Sequence, residues 1–259
     1  MKISQRAFDL IVAEEVSSKA TYEKKYRAPE WPGVASGVTV GIGYDVGYHT
    51  PEQVRADWGG RIPDNMVRAL ERTCGVTGIA AQNLAHSLRD TVDVPWEAAI
   101  AVYKDVDVPK WTAIVEKALA NTEKLPPDSL GALVSLTYNR GPSYSTAGDR
   151  YREMRLIKQH MTGGTIDEIP NEIRSMKRLW PGVGGLLARR EREAKLFERG
   201  LNPPVAPGAG TGGTIATTTV IVANEANKQG VSGDIVGAIV VAGLVLAVAA
   251  YFTVRHFRR

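Results

Sequence analysis

Between residues 38 and 48 the chain alternates apolar with small or polar residues at a period of two, which predicts a β-strand. Val38, Val40, Ile42 and Tyr44 would share one face, and the other face would carry Thr39, Gly41, Gly43 and Asp45. Because glycine has no side chain, these glycines would form a floor on which a bulky ligand can approach the backbone. A half-buried hairpin with glycines at bulges is the alternative interpretation. A straight strand would separate Thr39 from Asp45 by about 20 Å, so a shared role requires the chain to fold back between residues 41 and 47.

Residues 3–18 show the apolar periodicity of an amphipathic helix, with Ser4 as a candidate N-cap. Glu15 would point into the apolar stripe of this helix, whereas Glu14 would lie at its margin. Burial raises the pKa of a carboxyl group, which suits a general acid that works near neutral pH. The alternative is a flanking acid whose carboxylate reaches solvent.

Most of the remaining chain up to residue 200 has a helical pattern, after a polar, aromatic-rich loop at 19–37. The predicted helices cover 50–58, 63–72, 77–88, 95–105, 109–120, 127–139, 149–160, 167–175 and 185–198. The first of them would begin after Thr50 as N-cap, with Pro51 at the first helical position. In the last, charged residues alternate with apolar ones, which is typical of a solvated face with internal ion pairs.

The composition argues against several classes of function. The chain has 259 residues, of which 44% are hydrophobic and 23% charged, and its net charge of +4 is too small to indicate nucleic-acid binding. Cys74 is the single cysteine, so no intramolecular disulfide can form. The four histidines are scattered and none has metal-ligand spacing, so we expect neither a metal site nor a cofactor.

The C-terminal part of the sequence has a different composition. Residues 203–231 begin with a run rich in proline, glycine and threonine that is typical of a linker, following a domain at 1–202. Within 232–259, the uncharged residues 235–254 are long enough to cross a lipid bilayer, and a basic tail follows them. The positive-inside rule places that tail in the cytoplasm and the N-terminal domain on the side of the cell wall or periplasm. The alternative is a tail-anchored protein, which keeps its N-terminal domain in the cytoplasm. We therefore expect a single-pass membrane protein.

Four short motifs, in this order, resemble the phage-type lysozymes of glycoside hydrolase family 24. Residues 10–16 (LIVAEEV) resemble the glutamate that ends the family's first helix, and residues 39–43 (TVGIG) resemble its glycine-rich strand. Residues 135–141 (SLTYNRG) resemble a later helix end, and residues 187–191 (LARRE) resemble the closing arginine-rich helix. The resemblance covers about residues 3–200 and implies a lysozyme-like α+β fold, mainly α, with a small β-hairpin subdomain.

The resemblance also implies roles for individual residues. Glu15 would be the catalytic acid, and Thr39 would help to hold the attacking water. Many family members carry their aspartate before the threonine, but residues 31–38 contain no Asp or Glu. The pesticin-like variant has it six residues after the threonine, where Asp45 stands here, so we expect Asp45 to be the second carboxylate, with Glu30 as the alternative. The residues expected to contact substrate are Asn139, Gly41, Gly43 and Trp31.

The resemblance implies a muramidase that cleaves the β-1,4 bond between N-acetylmuramic acid and N-acetylglucosamine in peptidoglycan. Its partners would be glycan strands and, through residues 235–254, the lipid bilayer, and the chain would act as a monomer. A lytic transglycosylase or a chitinase-like enzyme on the same fold is one alternative. A non-catalytic wall-binding or membrane-lesion protein, in which the C-terminal anchor carries the function, is another.

Overall fold

Residues 1–203 are described by a computed structural model, in which they form eleven α-helices and one short antiparallel β-hairpin. The helices and strands are α1 (Gln5–Val16), α2 (Lys19–Lys25), β1 (Thr39–Val40), β2 (Tyr44–Asp45), α3 (Pro51–Trp58), α4 (Asp64–Glu71), α5 (Ile79–Ser87), α6 (Trp96–Val102), α7 (Val108–Ala118), α8 (Pro127–Arg140), α9 (Arg152–Gly163), α10 (Ile169–Ser175) and α11 (Gly184–Leu201). Short 3₁₀ helices cover Val46–Tyr48, Thr122–Lys124, Asp149–Tyr151, Ile166–Glu168 and Met176–Leu179. The predicted class, α+β and mainly α, is confirmed.

Helix starts follow the local signals in the sequence. Ser4 caps α1 and accepts a hydrogen bond from the Ala7 amide at 3.0 Å. Thr50 and Gln53 form a reciprocal capping box at the start of α3, with Pro51 in the first turn. These caps satisfy amide groups that the first turn of a helix leaves without partners. Both predicted helix starts are thus confirmed to within a few residues.

The loop predicted at 19–37 is wrong in its first part, because α2 occupies residues 19–25. Ser18 caps this helix by accepting from the Thr21 amide at 3.1 Å. Tyr22 is fully buried, and its hydroxyl donates to the carbonyl of Val94 at 3.0 Å. So short a helix depends on this tertiary contact for its stability, and the periodicity of the sequence does not reveal such contacts.

Helices α6 and α7 were predicted as separate elements, but a π-helical turn at Tyr103–Asp107 joins them into one continuous helix. The Val108 amide bonds to the Tyr103 carbonyl, five residues earlier, and Pro109 then occupies the first turn of α7. Within a continuous helix, proline removes one backbone hydrogen bond and its ring crowds the preceding turn, and the π turn lies directly before it. Such π turns are rare and often occur at functional sites.

Helix α8 lies at the centre of the molecule and packs against α1, α7 and α11. Two small residues bring the helices together: Gly131 of α8 faces Ala7 of α1, and Gly200 of α11 faces Ser129 of α8. A Cβ at either glycine would collide with its neighbour. The close packing of α1 and α11 on the same helix brings the end of α1 next to the charged middle of α11.

The hairpin folds back within three residues. Thr39 pairs with Asp45 and Val40 with Tyr44 across the two strands. Gly41 and Gly43 have φ angles of +62° and +77°, which residues with a side chain rarely adopt. The predicted fold-back between residues 41 and 47 is therefore present, and it takes place at these two glycines.

The predicted linker beyond Pro203 and the predicted membrane span at 235–254 lie outside the described residues. Within residues 1–203, none of the helices has the length and apolar character that crossing a bilayer requires.

Candidate active site

Glu15 lies in the last turn of α1 with only 4% of its side chain exposed. Its carboxylate accepts a hydrogen bond from Nη1 of Arg189 on α11 at 3.0 Å. Glu14, its neighbour, points elsewhere and pairs at 2.6 Å with Arg192, whose side chain is 49% exposed. The apolar stripe therefore buries Glu15 and leaves Glu14 at the margin, as the periodicity of this helix predicts.

Arg189 belongs to a buried group of charges. Its Nε bonds to Glu193 at 3.1 Å, and Arg190 pairs with the same carboxylate at 2.8 Å. The Ser135 hydroxyl of α8 donates to Glu193 at 2.7 Å. With Glu15 ionised, the formal charges of Glu15, Glu193 and the two arginines balance, and protonation of Glu15 leaves one positive charge in excess. The predicted ion pairs within this helix are present. The predicted solvated face is wrong for Arg189, Arg190 and Glu193, which are at most 4% exposed.

Burial dominates the electrostatics of Glu15. Removal of the carboxyl from water raises its pKa above the usual 4.5, while the charge of Arg189 and its hydrogen bond act in the opposite direction. The negative charges of Glu14 and Glu193 raise the pKa further. A carboxyl group in this setting retains its proton to higher pH than an exposed glutamate does. That property is required of a group that donates a proton near neutral pH.

A second group of polar side chains lies on the hairpin, in a row centred on Thr39. The amide and carbonyl of Thr39 exchange hydrogen bonds with Glu30, at 2.8 and 2.9 Å. Asp45 is opposite Thr39 on the other side. Residues directly opposite each other in antiparallel pairing project their side chains from the same face. The side chain of Thr39 thus projects from the same face as those of Glu30 and Asp45, and its hydroxyl donates to the Gly37 carbonyl at 3.5 Å.

The two carboxylates differ in their distance from Thr39. Because both backbone hydrogen bonds of Thr39 go to Glu30, these two residues form a hydrogen-bonded pair, with Cα atoms typically ~5.5 Å apart. Thr39 and Asp45 then form the non-hydrogen-bonded pair, whose Cα atoms are typically ~4.5 Å apart and whose side chains are closer. Backbone pairing thus favours Asp45 as the closer partner of the Thr39 hydroxyl.

Two glycine backbones hold the Asp45 carboxylate. Its oxygens accept from the amide of Gly37 at 3.0 and 3.1 Å, and from the amide of Gly47 at 3.0 Å. A Cβ at Gly37 would collide with this carboxylate and with the Gly47 backbone. Burial raises the pKa of Asp45 to about 6, although the two amide hydrogen bonds act to lower it. Asp45 is therefore ionised only above about pH 6.

Glu30, the alternative second carboxylate, is half-buried. Burial raises its pKa above the usual value, while the positive charges of Arg89 and Lys25 act to lower it. Neighbouring cations favour the ionised form of a carboxylate. Both Glu30 and Asp45 are thus placed to act beside Thr39, and they differ in how they are held.

Gly41 and Gly43 do not form the continuous floor expected from a straight strand. Gly41 is buried, and a Cβ there would lie 2.9 Å from the ring of Trp58. Gly43 is exposed, and a Cβ there would lie 3.0 Å from the hydroxyl of Tyr138. The chain turns between these positions, so only Gly43 leaves an open surface.

The contact at Gly43 connects the hairpin to the helices that hold Glu15. The rings of Tyr138 and Tyr103 are buried and lie 5.9 Å apart at 73°. Burial raises the pKa of both hydroxyls well above the usual value, and the negative charges of Glu15 and Asp107 add to this rise. Both carboxyls therefore lie close to the tyrosine pair. Asp107, on the π turn, is itself a buried acid whose pKa burial raises to about 7.

The structure does not bring the two halves of the candidate site into direct contact. No hydrogen bond or ion pair within residues 1–203 joins Glu15 to Thr39 or Asp45. The connection runs through Gly43 and the buried hydroxyl of Tyr138.

The remaining predicted contact residues lie in different surroundings. Asn139 is half-buried in the last turn of α8, next to Tyr138. Trp31 packs against a small cluster formed with Val38 and α5, and its indole N–H donates to the Ser36 carbonyl at 3.0 Å. Asn139 is therefore adjacent to the hairpin contact, whereas Trp31 is held against α5 behind β1. Tyr44 is core, with 1% of its surface exposed.

Comparison with known proteins identifies no relative. Neither the models of known protein families nor the curated protein sequences include a match to this chain.

Proposed function

We propose that the chain is a peptidoglycan hydrolase with a lysozyme-like fold, which cleaves the β-1,4 bond between N-acetylmuramic acid and N-acetylglucosamine. The observation that carries the proposal is the row on the hairpin, where backbone pairing places Glu30 and Asp45 on either side of Thr39. The buried carboxyl of Glu15, across the Gly43 contact, supplies the second element. Glycoside hydrolysis requires one protonated carboxyl and one carboxylate on opposite sides of the bond.

In this proposal Glu15 donates its proton to the glycosidic oxygen as the bond to the anomeric carbon breaks. Asp45 accepts a proton from a water molecule, and the resulting hydroxide oxygen bonds to the anomeric carbon. The Thr39 hydroxyl holds that water as a second hydrogen-bond partner. The proton that Asp45 gains equals the proton that Glu15 loses, so solvent exchange restores both groups. Arg189 orients Glu15, and the amides of Gly37 and Gly47 orient Asp45.

The proposal also includes the C-terminal anchor. A span at 235–254 would hold the enzyme next to the wall, and the basic tail orients it with the N-terminal domain outward. Peptidoglycan strands would then be within reach of the candidate site.

The direct test is the clearing of purified sacculi by the full chain, solubilised in a mild non-ionic detergent. The proposal requires that turbidity falls and that soluble muropeptides appear. A chain that binds sacculi and releases nothing would be a wall-binding protein instead.

The pH dependence of this activity follows from Asp45. Because the pKa of Asp45 is about 6, protonation below that pH removes the base, so kcat/KM should fall as the pH drops below about 6. At high pH the rate should fall again, where Glu15 loses its proton. Initial rates of muropeptide release between pH 4.5 and 8, at constant ionic strength, measure this profile. A rate that rises steadily from pH 6 to 4.5 would exclude Asp45 as the base.

A further inference from the structure

Trp111 is the tryptophan that adjoins the hairpin contact. It is half-buried in α7, and its ring centroid lies 5.0 Å from the ring of Tyr138, at 54°. The Tyr138 hydroxyl in turn lies against the open face of Gly43. Asp107 is four residues before Trp111 and therefore on the same face of the helix. The negative charge of Asp107 contributes to the raised pKa of Tyr44 on the hairpin, so this face of α7 is turned toward the hairpin.

The other four tryptophans are engaged elsewhere. Trp58 is fully buried in the core, and the N–H of Trp31 donates to a backbone carbonyl at 3.0 Å. Trp180 is faced by two guanidinium groups, at 5.0 and 5.6 Å from its ring. Trp96 packs edge-on against a tyrosine of α2 at 5.4 Å. Within residues 1–203, Trp111 alone combines a partly exposed ring with proximity to the hairpin turn.

The exposed part of Trp111 has the chemistry of a sugar-binding surface. The negative face of an indole ring attracts the C–H groups on the apolar face of a pyranose. No hydrogen bond within residues 1–203 uses the Trp111 N–H, so it can donate to a hydroxyl or an acetamido carbonyl. Gly43 is exposed at the hairpin turn, so a sugar ring lying on Trp111 can extend toward it.

We propose that Trp111 is a stacking platform for an N-acetylhexosamine of the glycan strand, beside the hairpin turn and next to the bond that is cleaved. The proposal rests on the proposed function, since it assigns a sugar subsite beside the same hairpin. Trp111 is a specificity-determining residue in this role and takes no part in proton transfer. It binds the sugar ring by stacking, and its N–H can donate to the acetamido carbonyl.

The test separates binding from turnover. In the full-length Glu15→Gln chain, affinity for the N-acetylglucosamine tetramer is measured by NMR titration, with Trp111→Ala, Trp111→Phe and Trp96→Phe added one at a time. Loss of the stacked ring should weaken binding roughly tenfold in Trp111→Ala. Trp111→Phe, which keeps a ring, should lose less than about threefold. Trp96→Phe, the matched control, should bind like its parent. In chains that keep Glu15, Trp111→Ala should raise KM by the same factor and leave kcat within about twofold.

A second measurement is independent of folding in the alanine variant. The indole N–H resonance of Trp111 is assigned by its loss in Trp111→Phe, and it should shift on addition of the tetramer while that of Trp96 does not. An unmoved Trp111 resonance, or equal affinities in parent and Trp111→Ala, overturns the platform. These outcomes leave the proposed function intact if sacculi are still cleared. Conversely, a Trp111-dependent affinity in a chain that never clears sacculi supports the platform and overturns hydrolysis.

Discussion

The Glu15→Gln variant is expected to lose at least about 100-fold of the rate of muropeptide release, because an amide has no acidic proton to donate. It should nevertheless fold. Burial raises the pKa of Glu15, so the ionised carboxylate costs stability as pH rises through that pKa, and the neutral glutamine avoids this cost. The buried Arg189 keeps its bond to Glu193 but loses the charge of Glu15, which opposes this gain. We therefore expect the variant to remain folded with a cooperative melting transition at pH 8, measured by circular dichroism alongside the rate.

Glu14→Gln is the matched control, one residue away on the same helix. It breaks an ion pair with the half-exposed Arg192, which contributes less than about 1 kcal/mol to stability. Its rate should stay within about threefold of the wild type, since Glu14 pairs with Arg192 and acts on Glu15 only through its charge. An inactive Glu14→Gln chain beside an active Glu15→Gln chain would contradict the assignment of the acid.

Asp45→Asn is expected to reduce the rate of muropeptide release by about 100-fold, because the amide cannot accept a proton from water. The remaining amide oxygen can still accept from Gly37 and Gly47, so the hairpin should keep its structure. Glu30→Gln is the comparison variant from the other side of Thr39 and should lose less than about tenfold. Rates are measured on sacculi near pH 7, where Asp45 is ionised.

Two outcomes would redirect this assignment. If Glu30→Gln is the more damaging substitution, Glu30 is the base and the closer pairing of Asp45 with Thr39 is structural. If neither substitution slows the enzyme by more than a few-fold while Glu15→Gln remains inactive, a single carboxyl suffices, as in a lytic transglycosylase.

The features of the fold that the sequence predicted correctly are determined by residues only a few positions apart in the chain. The Thr50 cap, the burial of Val40 and Ile42 and the position of Glu15 within α1 all follow from periodicity and capping. The fold-back of the hairpin was also predictable, because Thr39 and Asp45 were expected to act together and would be too far apart on a straight strand. What makes it possible is the left-handed backbone at Gly41 and Gly43.

The charged helix α11 shows why other parts could not be predicted. Its alternation of arginine and glutamate is typical of a solvated surface, yet Arg189 is buried against Glu15, 174 residues earlier in the chain. Nothing within one helix indicates that its charges have partners elsewhere, and only the packing of α1 and α11 on α8 brings them together. The signal that could have found Arg189 was Glu15 itself, since a buried carboxylate requires a partner.

Asp107 escaped prediction for a related reason. In the sequence it stands before a proline, in a segment that was expected to separate two helices. The π turn instead keeps the helix continuous and buries this carboxyl near Tyr103 and Tyr138. Gly41 was expected to face the ligand, but it lies against Trp58. A period of two in the sequence does not show that the chain turns at this residue.

The most direct test of the central claim is mass spectrometry of the muropeptides that the full chain releases from purified sacculi, with Glu15→Gln as the blank. Hydrolysis by Glu15 and Asp45 predicts products with reducing N-acetylmuramic acid ends, each heavier by one water than its anhydro form, and none from the blank. Anhydro ends would show transglycosylation, and reducing N-acetylglucosamine ends would show cleavage of the other glycosidic bond. Either result, or release undiminished by Glu15→Gln, would contradict the proposed muramidase.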